Sequence, residues 1–351
     1  AEGQKYTPVD RDQVMYYRED KAGQILEEGI NEAGAFSSWI AAATSYSTNG
    51  VNMIPFYIFY SMFGLQRIGD LAWAAADQRA RGFLLGATAG RTTLNGEGLQ
   101  HEDGHSQLLA SAIPTCISYD PTFSYELAVI IHDGLRRMVE NQEDVFFYIT
   151  LMNENYAHPG LPQGVESGIL KGMYRFRDAG KTKAKQRVQL LGSGTIFREV
   201  IAAADLLADD WGIAADLWSC PSFNELGRDG AECDRWNMLH PGEKPRTPHV
   251  TQCLEAQKGP VVAATDYVRA YAEQIRAYMP RERTYRVLGT DGFGRSDTRA
   301  KLRQHFEVDR YHVAIAALAA LAQDGEIKPT VVAQAIKKYG IDASKPNPLN
   351  A

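Results

Sequence analysis

The chain has 351 residues, of which 44% are hydrophobic and 23% are charged, an ordinary composition for a globular protein large enough for two domains. Its net charge of −6 at pH 7 argues against nucleic acid and against an anionic membrane surface as partners. The longest apolar stretch, residues 313–322, is about half as long as a membrane crossing requires, so it predicts a buried helix.

The cysteines and the N-terminal residues indicate in which cellular compartment the protein is found. Residues 1–10 are polar and lack the apolar core of a signal peptide. The cysteines stand without CxxC spacing, which predicts free thiols in a reducing environment. They are Cys116, Cys220, Cys233 and Cys253. We therefore expect a cytoplasmic protein.

Short apolar runs alternate with helical patterns in the first half of the chain. Apolar and aromatic runs at 52–63, 82–88 and 145–152 predict buried strands. Helical periodicity at 65–80 and 122–139 predicts helices between them. This alternation is typical of α/β folds.

Composition changes in the middle of the chain. Residues 158–168 are rich in proline and glycine, and a short basic loop is predicted at 181–185. We therefore expect a domain boundary near residue 165, with one domain in 1–165 and another in 166–351.

The second half repeats the alternation. Residues 188–192, 214–220, 260–265 and 285–290 are predicted strands, and residues 196–211 are a predicted helix. We expect two α/β domains, each with a mainly parallel sheet and helices on both faces.

One glycine pair in this half suggests a dinucleotide site. Gly192 and Gly194 follow a predicted strand, as in a dinucleotide-binding fingerprint, but Phe197 replaces the third glycine. No acidic residue follows at the required distance, so we do not predict NAD binding.

The string His-Glu-Asp-Gly-His at 101–105 matches the zinc-protease pattern H-E-x-x-H. That pattern works on a helix, and Gly104 disfavours a helix here. Leu108 and Ser111 stand where the metzincin pattern requires Gly and His. Glu126 lies near the gluzincin spacing, so a zinc hydrolase remains an alternative that metal analysis tests.

Several stretches together resemble another family, the homodimeric bacterial pyruvate dehydrogenases. The resemblance covers essentially the whole chain. It rests on residues 23–36, 54–70, 92–106, 234–241 and 287–309.

The resemblance implies a fold for each half. Residues 1–165 resemble the pyrimidine-binding domain of a thiamine-diphosphate enzyme, with its first strand expected upstream of Ala1. Residues 166–351 resemble the transketolase-type C-terminal α/β domain.

The resemblance also assigns residues to the cofactor. Glu32 is implied as the carboxyl group that exchanges a proton with the aminopyrimidine ring of thiamine diphosphate, a role that suits a carboxyl in an apolar pocket. Phe63 is implied as the stacking partner of that ring, and Tyr60 as a nearby polar edge. Ile30 is expected to help hold the bent shape of the cofactor.

Glu97 and His101 are implied as the groups beside the reacting substrate. They lie four residues apart next to glycines, where the backbone can approach a ligand closely. An imidazole beside a carboxyl group suits the proton transfers of reductive acetylation. Asp103 and His105 either take part or brace the loop, and the role of His158 stays open.

Members of this family bind the diphosphate and Mg²⁺ with a separate N-terminal domain that carries a Gly-Asp-Gly motif. This chain contains no Gly-Asp-Gly, and Arg-Asp-Gly at 228–230 and Thr-Asp-Gly at 290–292 lack the preceding glycine. We therefore expect the chain to correspond to the C-terminal half of the enzyme and to be inactive alone.

The implied reaction is the oxidative decarboxylation of pyruvate with transfer of the acetyl group to lipoamide. The implied partners are a second copy of the chain and the dihydrolipoyl acetyltransferase with its lipoyl domain. Two alternatives stay open: a 2-oxoglutarate dehydrogenase or transketolase, and a non-catalytic half that only assembles with partner subunits.

Overall fold

The protein is described from a computed structural model that covers residue 7 and residues 9–13, 20–180 and 184–351. Residues 181–183, within the predicted basic loop, lie outside the described residues.

The first sheet has four parallel strands in the order β1-β2-β4-β3. The strands are β1 (Phe56–Phe59), β2 (Phe83–Ala87), β3 (Cys116–Tyr119) and β4 (Phe146–Leu151). Its helices are α1 (Glu32–Ala43), α2 (Ser45–Thr48), α3 (Leu65–Asp77), α4 (Ser106–Ser111) and α5 (Ser124–Leu135), with a π-helical turn at Arg136–Glu140.

Alternating side chains of this sheet enter two different apolar clusters. Leu84 of β2 packs in a cluster with Trp39 of α1 and Ile68 of α3. Its neighbours Phe83 and Leu85 point to the other face and pack in a second cluster with Ile130 of α5. The period of two along a strand thus places helices on both faces.

The second sheet has five strands in the order β5-β7-β6-β8-β9. Only the pair of β5 and β7 is antiparallel among the described pairs, and the other three pairs are parallel. The strands are β5 (Tyr174–Arg177), β6 (Arg187–Gly192), β7 (Ala214–Ser219), β8 (Val261–Ala264) and β9 (Tyr285–Leu288).

Helices also lie on both faces of the second sheet. They are α6 (Glu166–Leu170), α7 (Ile196–Trp211), α8 (Phe223–Leu239), α9 (His249–Leu254), α10 (Ala270–Glu273), α11 (Arg299–His305), α12 (Arg310–Gln323) and α13 (Pro329–Lys338). Short 3₁₀ turns stand at Ser61–Phe63, Leu99–His101, Arg276–Tyr278 and Pro348–Asn350. Within the described part of the chain, no helix has the length and apolar character needed to span a membrane.

The helix α7 shows how the sequence specifies an element. Its buried residues Ile196, Val200, Ala203 and Leu207 recur at helical spacing and face the sheet. Gly212 ends the helix in the left-handed conformation, with φ of 64°, which glycine adopts without steric cost.

The observed elements confirm the predicted α/β class. The run at 52–63 was expected to be one strand, but only Phe56–Phe59 pairs, and the chain then turns through a 3₁₀ helix. The sequence patterns missed β3 and β5, because neither has a long apolar run and β5 alternates with arginine at the sheet edge. The domain boundary near residue 165 stays a prediction.

Strands of the two sheets have their carboxyl ends close together at a buried aspartate, Asp120, which directly follows β3. Its carboxylate oxygens accept hydrogen bonds from Thr150 Oγ1 of β4 at 2.7 Å and from Ser193 Oγ, just after β6, at 2.8 Å. The backbone carbonyl of Asp120 accepts from Gly194 N at 3.1 Å. Asp120 is fully buried, so it joins the two sheets without access to water.

Replacement of Asp120 by asparagine should flatten the pH dependence of stability. Burial raises the pKa of Asp120 to about 7, although bonds from Thr150 and Ser193 oppose the rise. The folded chain therefore keeps a proton that the unfolded chain releases near pH 4, so this stability is complete below about pH 4 and is lost as pH rises through about 7.

Urea unfolding at pH 5 and pH 8 measures the effect. The parent chain should lose more unfolding free energy over this range than Asp120→Asn does. Equal losses would show that this carboxyl group is already ionised in the folded chain.

Candidate active site

Tyr60, Phe63 and His101 form an aromatic cluster at the end of β1. The ring centroids of Tyr60 and His101 are 5.3 Å apart. Those of Phe63 and His101 are 5.1 Å apart, with the rings nearly perpendicular. Tyr60 is 41% exposed, so one side of the cluster is open to solvent. The end of β1 and the loop of residues 88–105, between β2 and α4, thus bring together three residues expected to meet at one site.

Glu32 approaches the same cluster from α1. It is the first residue of this helix, whose N-cap Asn31 accepts a hydrogen bond from Gly34 N at 3.1 Å. The Oε1 atom of Glu32 accepts from Arg67 Nη1 at 2.9 Å. The guanidinium carbon of Arg67 lies 4.3 Å from the centroid of the Phe63 ring. One flat group therefore contacts both the carboxylate of Glu32 and the face of Phe63.

The carboxylates near this cluster raise the pKa of a neighbouring phenol. Burial raises the pKa of Tyr57 to about 12, and the negative charges of Glu32 and Glu28 add to the rise. Glu28 also accepts a hydrogen bond of 2.5 Å from Ser38 Oγ. The start of α1 and the residues just before it are thus locally acidic.

Glu97 reaches His101 from the preceding turn of the loop. Its Oε2 atom lies 3.5 Å from His101 Nδ1, and both side chains are partly exposed. Gly96, which directly precedes Glu97, adopts a φ of 74°, a left-handed conformation that glycine allows. The loop therefore presents a carboxylate and an imidazole side by side.

The zinc-protease string does not form the helix that its pattern requires. Its first histidine, His101, ends a 3₁₀ turn, and α4 starts only after His105. The Nε2 atom of His105 lies 3.0 Å from Gln66 Oε1 of α3. Glu126, the residue at gluzincin spacing, is buried at the start of α5, where it accepts from Phe123 N at 3.0 Å. The geometry of a zinc protease is therefore not formed by these residues.

Asp103 braces the loop. Its Oδ1 atom accepts hydrogen bonds from His105 N and Ser106 N, both at 2.9 Å, and Ser106 Oγ donates to its Oδ2. Tyr148 of β4 donates in turn to Ser106 Oγ at 2.7 Å. Asp103 thereby fixes the entry into α4 and ties it to the sheet.

The resemblance implies a role for Ile30 and leaves the role of His158 open. The side chain of Ile30 is fully exposed. The Nδ1 atom of His158 accepts from Ser124 N at 3.0 Å, at the start of α5, and its ring stacks on Tyr156. His158 therefore has a structural partner, and the role expected for Ile30 stays a prediction.

Arg67 is a residue that the sequence patterns missed. It follows Phe63 by four residues, and this spacing places the two side chains together where the 3₁₀ turn leads into α3. The spacing alone could have suggested the contact with Phe63. The contact with Glu32, 35 residues earlier, depends on how α1 packs against α3.

The chain matches two family models. Residues 1–159 match the pyruvate dehydrogenase E1 component middle domain, and residues 172–309 match the transketolase-like C-terminal domain. The chain is also 68% identical to the pyruvate dehydrogenase E1 component of Cupriavidus necator, 67% identical to that of Pseudomonas aeruginosa and 62% identical to that of Escherichia coli. Each match covers 99% of this chain.

The chain belongs to the pyruvate dehydrogenase E1 family. It spans 39% of the length of each of these three relatives.

Solved transketolase structures share the fold. The transketolase of Campylobacter jejuni matches with a TM-score of 0.58 and 16% identity, over 80% of this chain and 38% of that one. A split-gene transketolase, described as an inactive beta4 tetramer, matches with a TM-score of 0.55 and 16% identity, over 84% of this chain and 83% of that one. At this identity the likeness concerns the fold alone.

Proposed function

We propose that this member of the pyruvate dehydrogenase E1 family supplies one wall of a thiamine-diphosphate site. In the complete enzyme, meaning this chain together with a diphosphate-binding domain, that site would carry out the oxidative decarboxylation of pyruvate and the reductive acetylation of lipoamide. The observation that carries the proposal is the convergence of Glu32, Phe63 and His101 from three separate segments.

The residues fit the aminopyrimidine ring of thiamine diphosphate. This ring is flat and carries hydrogen-bonding groups on its edge, so it needs an aromatic face and a polar group beside it. The guanidinium of Arg67, also flat, lies over Phe63 and bonds to Glu32, which supports the view that one planar group can meet both residues. When bound, the cofactor supplies a carbon nucleophile for the keto group of a 2-oxo acid.

In this proposal Glu32 exchanges a proton with a ring nitrogen of the pyrimidine, Phe63 stacks on the ring and Tyr60 borders it. The carboxyl group of Glu32 is only 19% exposed, so bulk water competes little for its hydrogen bonds. Its position at the start of α1 holds it in place, because the backbone there is fixed by the Asn31 cap.

His101 and Glu97 serve the substrate side. The imidazole can donate or accept a proton near the reacting oxygen, and Oε2 of Glu97 lies 3.5 Å from its Nδ1 atom. The packing of His101 against Tyr60 and Phe63 sets the orientation of its ring.

The partners are proposed on the same basis. The diphosphate and Mg²⁺ would be held by a domain outside these 351 residues, since the Gly-Asp-Gly motif does not occur in them. A second copy would complete the site, and the exposed apolar residues Phe56 and Ile58 of β1 and Trp73 of α3 support an interface there. The acetyl acceptor would be the lipoyl domain of the dihydrolipoyl acetyltransferase. The four free thiols support a cytoplasmic location.

Two alternatives compete with this proposal. A 2-oxoglutarate dehydrogenase or a transketolase would use the same cofactor wall, and comparing the three substrates in the complete enzyme separates them. A non-catalytic assembly half would bind partner subunits but show no heat or spectral change with thiamine diphosphate. The names of the relatives favour pyruvate.

Glu32→Gln in the complete enzyme should keep the fold but lower turnover of pyruvate by about 10²- to 10⁴-fold, because an amide cannot exchange a proton with the pyrimidine. Steady-state kinetics measure the loss. Glu27→Gln, at an exposed position five residues earlier, is the matched control and should retain full turnover. Turnover of Glu32→Gln close to that of the parent enzyme would refute the role assigned to Glu32.

His101→Ala in the complete enzyme should slow acetyl transfer to lipoamide by about 10²-fold or more, since it removes a positioned acid–base group. Affinity for thiamine diphosphate should remain, because Glu32 and Phe63 are unchanged. Acetyl-lipoamide formation and cofactor titration measure the two effects, with the exposed His132 changed to alanine as the control.

Metal analysis of the parent protein and of His101→Ala tests the alternative that the loop belongs to a zinc hydrolase. Stoichiometric zinc in the parent protein that disappears in His101→Ala would overturn the thiamine interpretation of this loop and restore the zinc hydrolase.

A further inference from the structure

One short segment that follows β9, the last strand of the second sheet, holds the turn that carries Glu97 and His101 at both of its ends. This segment is the β9–α11 loop, residues 289–298. Before Glu97, Gly96 N donates a hydrogen bond to the carbonyl of Asp297 at 3.1 Å. After His101, Arg295 N donates to Oε2 of Glu102 at 2.8 Å.

The middle of the same turn is in close contact with Gly294. A Cβ atom at this position would lie 2.3 Å from the backbone carbonyl oxygen of Leu99 and 3.0 Å from Oε2 of Glu102. Since the first of these is a backbone atom of the 3₁₀ turn that contains His101, any side chain at residue 294 would push this turn away. Only glycine allows the two loops to lie so close.

Glu102 is the side-chain member of this contact. It directly follows His101 and is fully buried. Oε2 accepts from Arg295 N, whereas Oε1 has no hydrogen-bond partner among the described residues. Glu102 touches neither the aromatic cluster nor Glu97 through these bonds, so its effect on the site passes through the backbone.

We propose that the β9–α11 loop is a positioning element for the site and that Glu102 and Gly294 are its positioning residues. They fix the turn from which Glu97 and His101 extend towards the substrate. The proposal rests on the proposed function of Glu97 and His101, and it gives the second sheet a part in catalysis without a side chain in the site.

Burial governs the choice of substitutions at Glu102. Desolvation raises the pKa of Glu102 to about 8, while the bond from Arg295 N opposes the rise. The neutral form therefore prevails at pH 7, and glutamine keeps its shape and its acceptor oxygen. Alanine removes the acceptor and leaves Arg295 N without this partner.

The test compares Glu102→Ala, Glu102→Gln and Gly294→Ala in the complete enzyme at pH 7. The kcat for acetyl transfer should fall by about 10- to 100-fold in Glu102→Ala and Gly294→Ala, because displacement of a catalytic group by about 1 Å can cost 10²-fold. Glu102→Gln should stay within about threefold of the parent, since the hydrogen bond persists. Thiamine-diphosphate affinity should be unchanged in all three variants, because Glu32 and Phe63 lie on other segments.

A control and a second readout exclude general destabilisation. Gly242→Ala adds a methyl group in open space and should behave as the parent enzyme does. Hydrogen exchange of the backbone amides in residues 96–102 should become faster in Glu102→Ala and Gly294→Ala but not in Glu102→Gln or Gly242→Ala. If Gly294→Ala does not fold, Glu102→Ala carries the test, since it removes atoms and adds no clash.

Parent-like kcat and exchange in both Glu102→Ala and Gly294→Ala would overturn the proposal, as would a loss in Glu102→Gln equal to that in Glu102→Ala. Failure of the proposed function looks different, because the parent enzyme itself would then show no thiamine-dependent acetyl transfer. In that case the exchange rates alone decide whether this loop fixes the turn.

Discussion

The position of residues 88–105, the loop that joins β2 to α4, depends on hydrogen bonds from the second sheet. The loop has little regular structure of its own, so its backbone groups need partners elsewhere. Both carboxylate oxygens of Asp266, at the end of β8, lie within 3.1 and 3.2 Å of Thr92 N. Arg299 donates to the carbonyl of Thr93 at 2.8 Å, and Val268 N donates to that of Gly104 at the same distance. The second sheet therefore acts as the template on which the loop is ordered.

The two sheets contribute to the proposed site in different ways. The first sheet and its helices form the rigid wall proposed for the cofactor, because Phe63 follows β1 and Glu32 begins α1. The loop carries the groups proposed to transfer protons, and segments that follow strands of the second sheet hydrogen-bond to that loop. Rigid elements thus hold the groups proposed to bind the cofactor, while a braced loop holds the groups proposed to react.

Buried carboxyl groups accompany the contact between the sheets. Asp120 and Asp266 are fully buried, and desolvation raises the pKa of each to about 7. Each carboxyl group stays hydrogen-bonded to groups from the other sheet or its loops, which limits the cost of burying it. The contact is therefore polar and specific, and its strength should respond to pH between about 4 and 7.

The sequence predicted the fold where apolar periodicity is strong. The helix at 196–211 has the predicted bounds, and the central strands β2, β4, β6 and β7 lie within or next to the predicted runs. The short β3 and the arginine-containing β5 were not predicted, because neither has a long apolar run. Both form strands through their pairing with β4 and β7, respectively. Propensity alone cannot report such tertiary effects.

The candidate site was predictable only in part, for a similar reason. Glu32, Tyr60, Phe63, Glu97 and His101 follow from the family resemblance, and all of them lie in or beside one cluster. Arg67 and Glu102 do not follow from it, since their roles come from contacts with residues 35 and 193 positions away. No local pattern in the sequence encodes those contacts.

The central claim is that Phe63 and Glu32 form a wall for the pyrimidine ring of thiamine diphosphate, and a titration of the complete enzyme with this cofactor tests it most directly. Phe63→Ala should weaken binding by about tenfold or more, because stacking and apolar burial are lost together. Phe63→Tyr keeps the ring and should bind nearly as tightly as the parent enzyme. Equal affinity of the alanine variant and the parent enzyme would contradict the account.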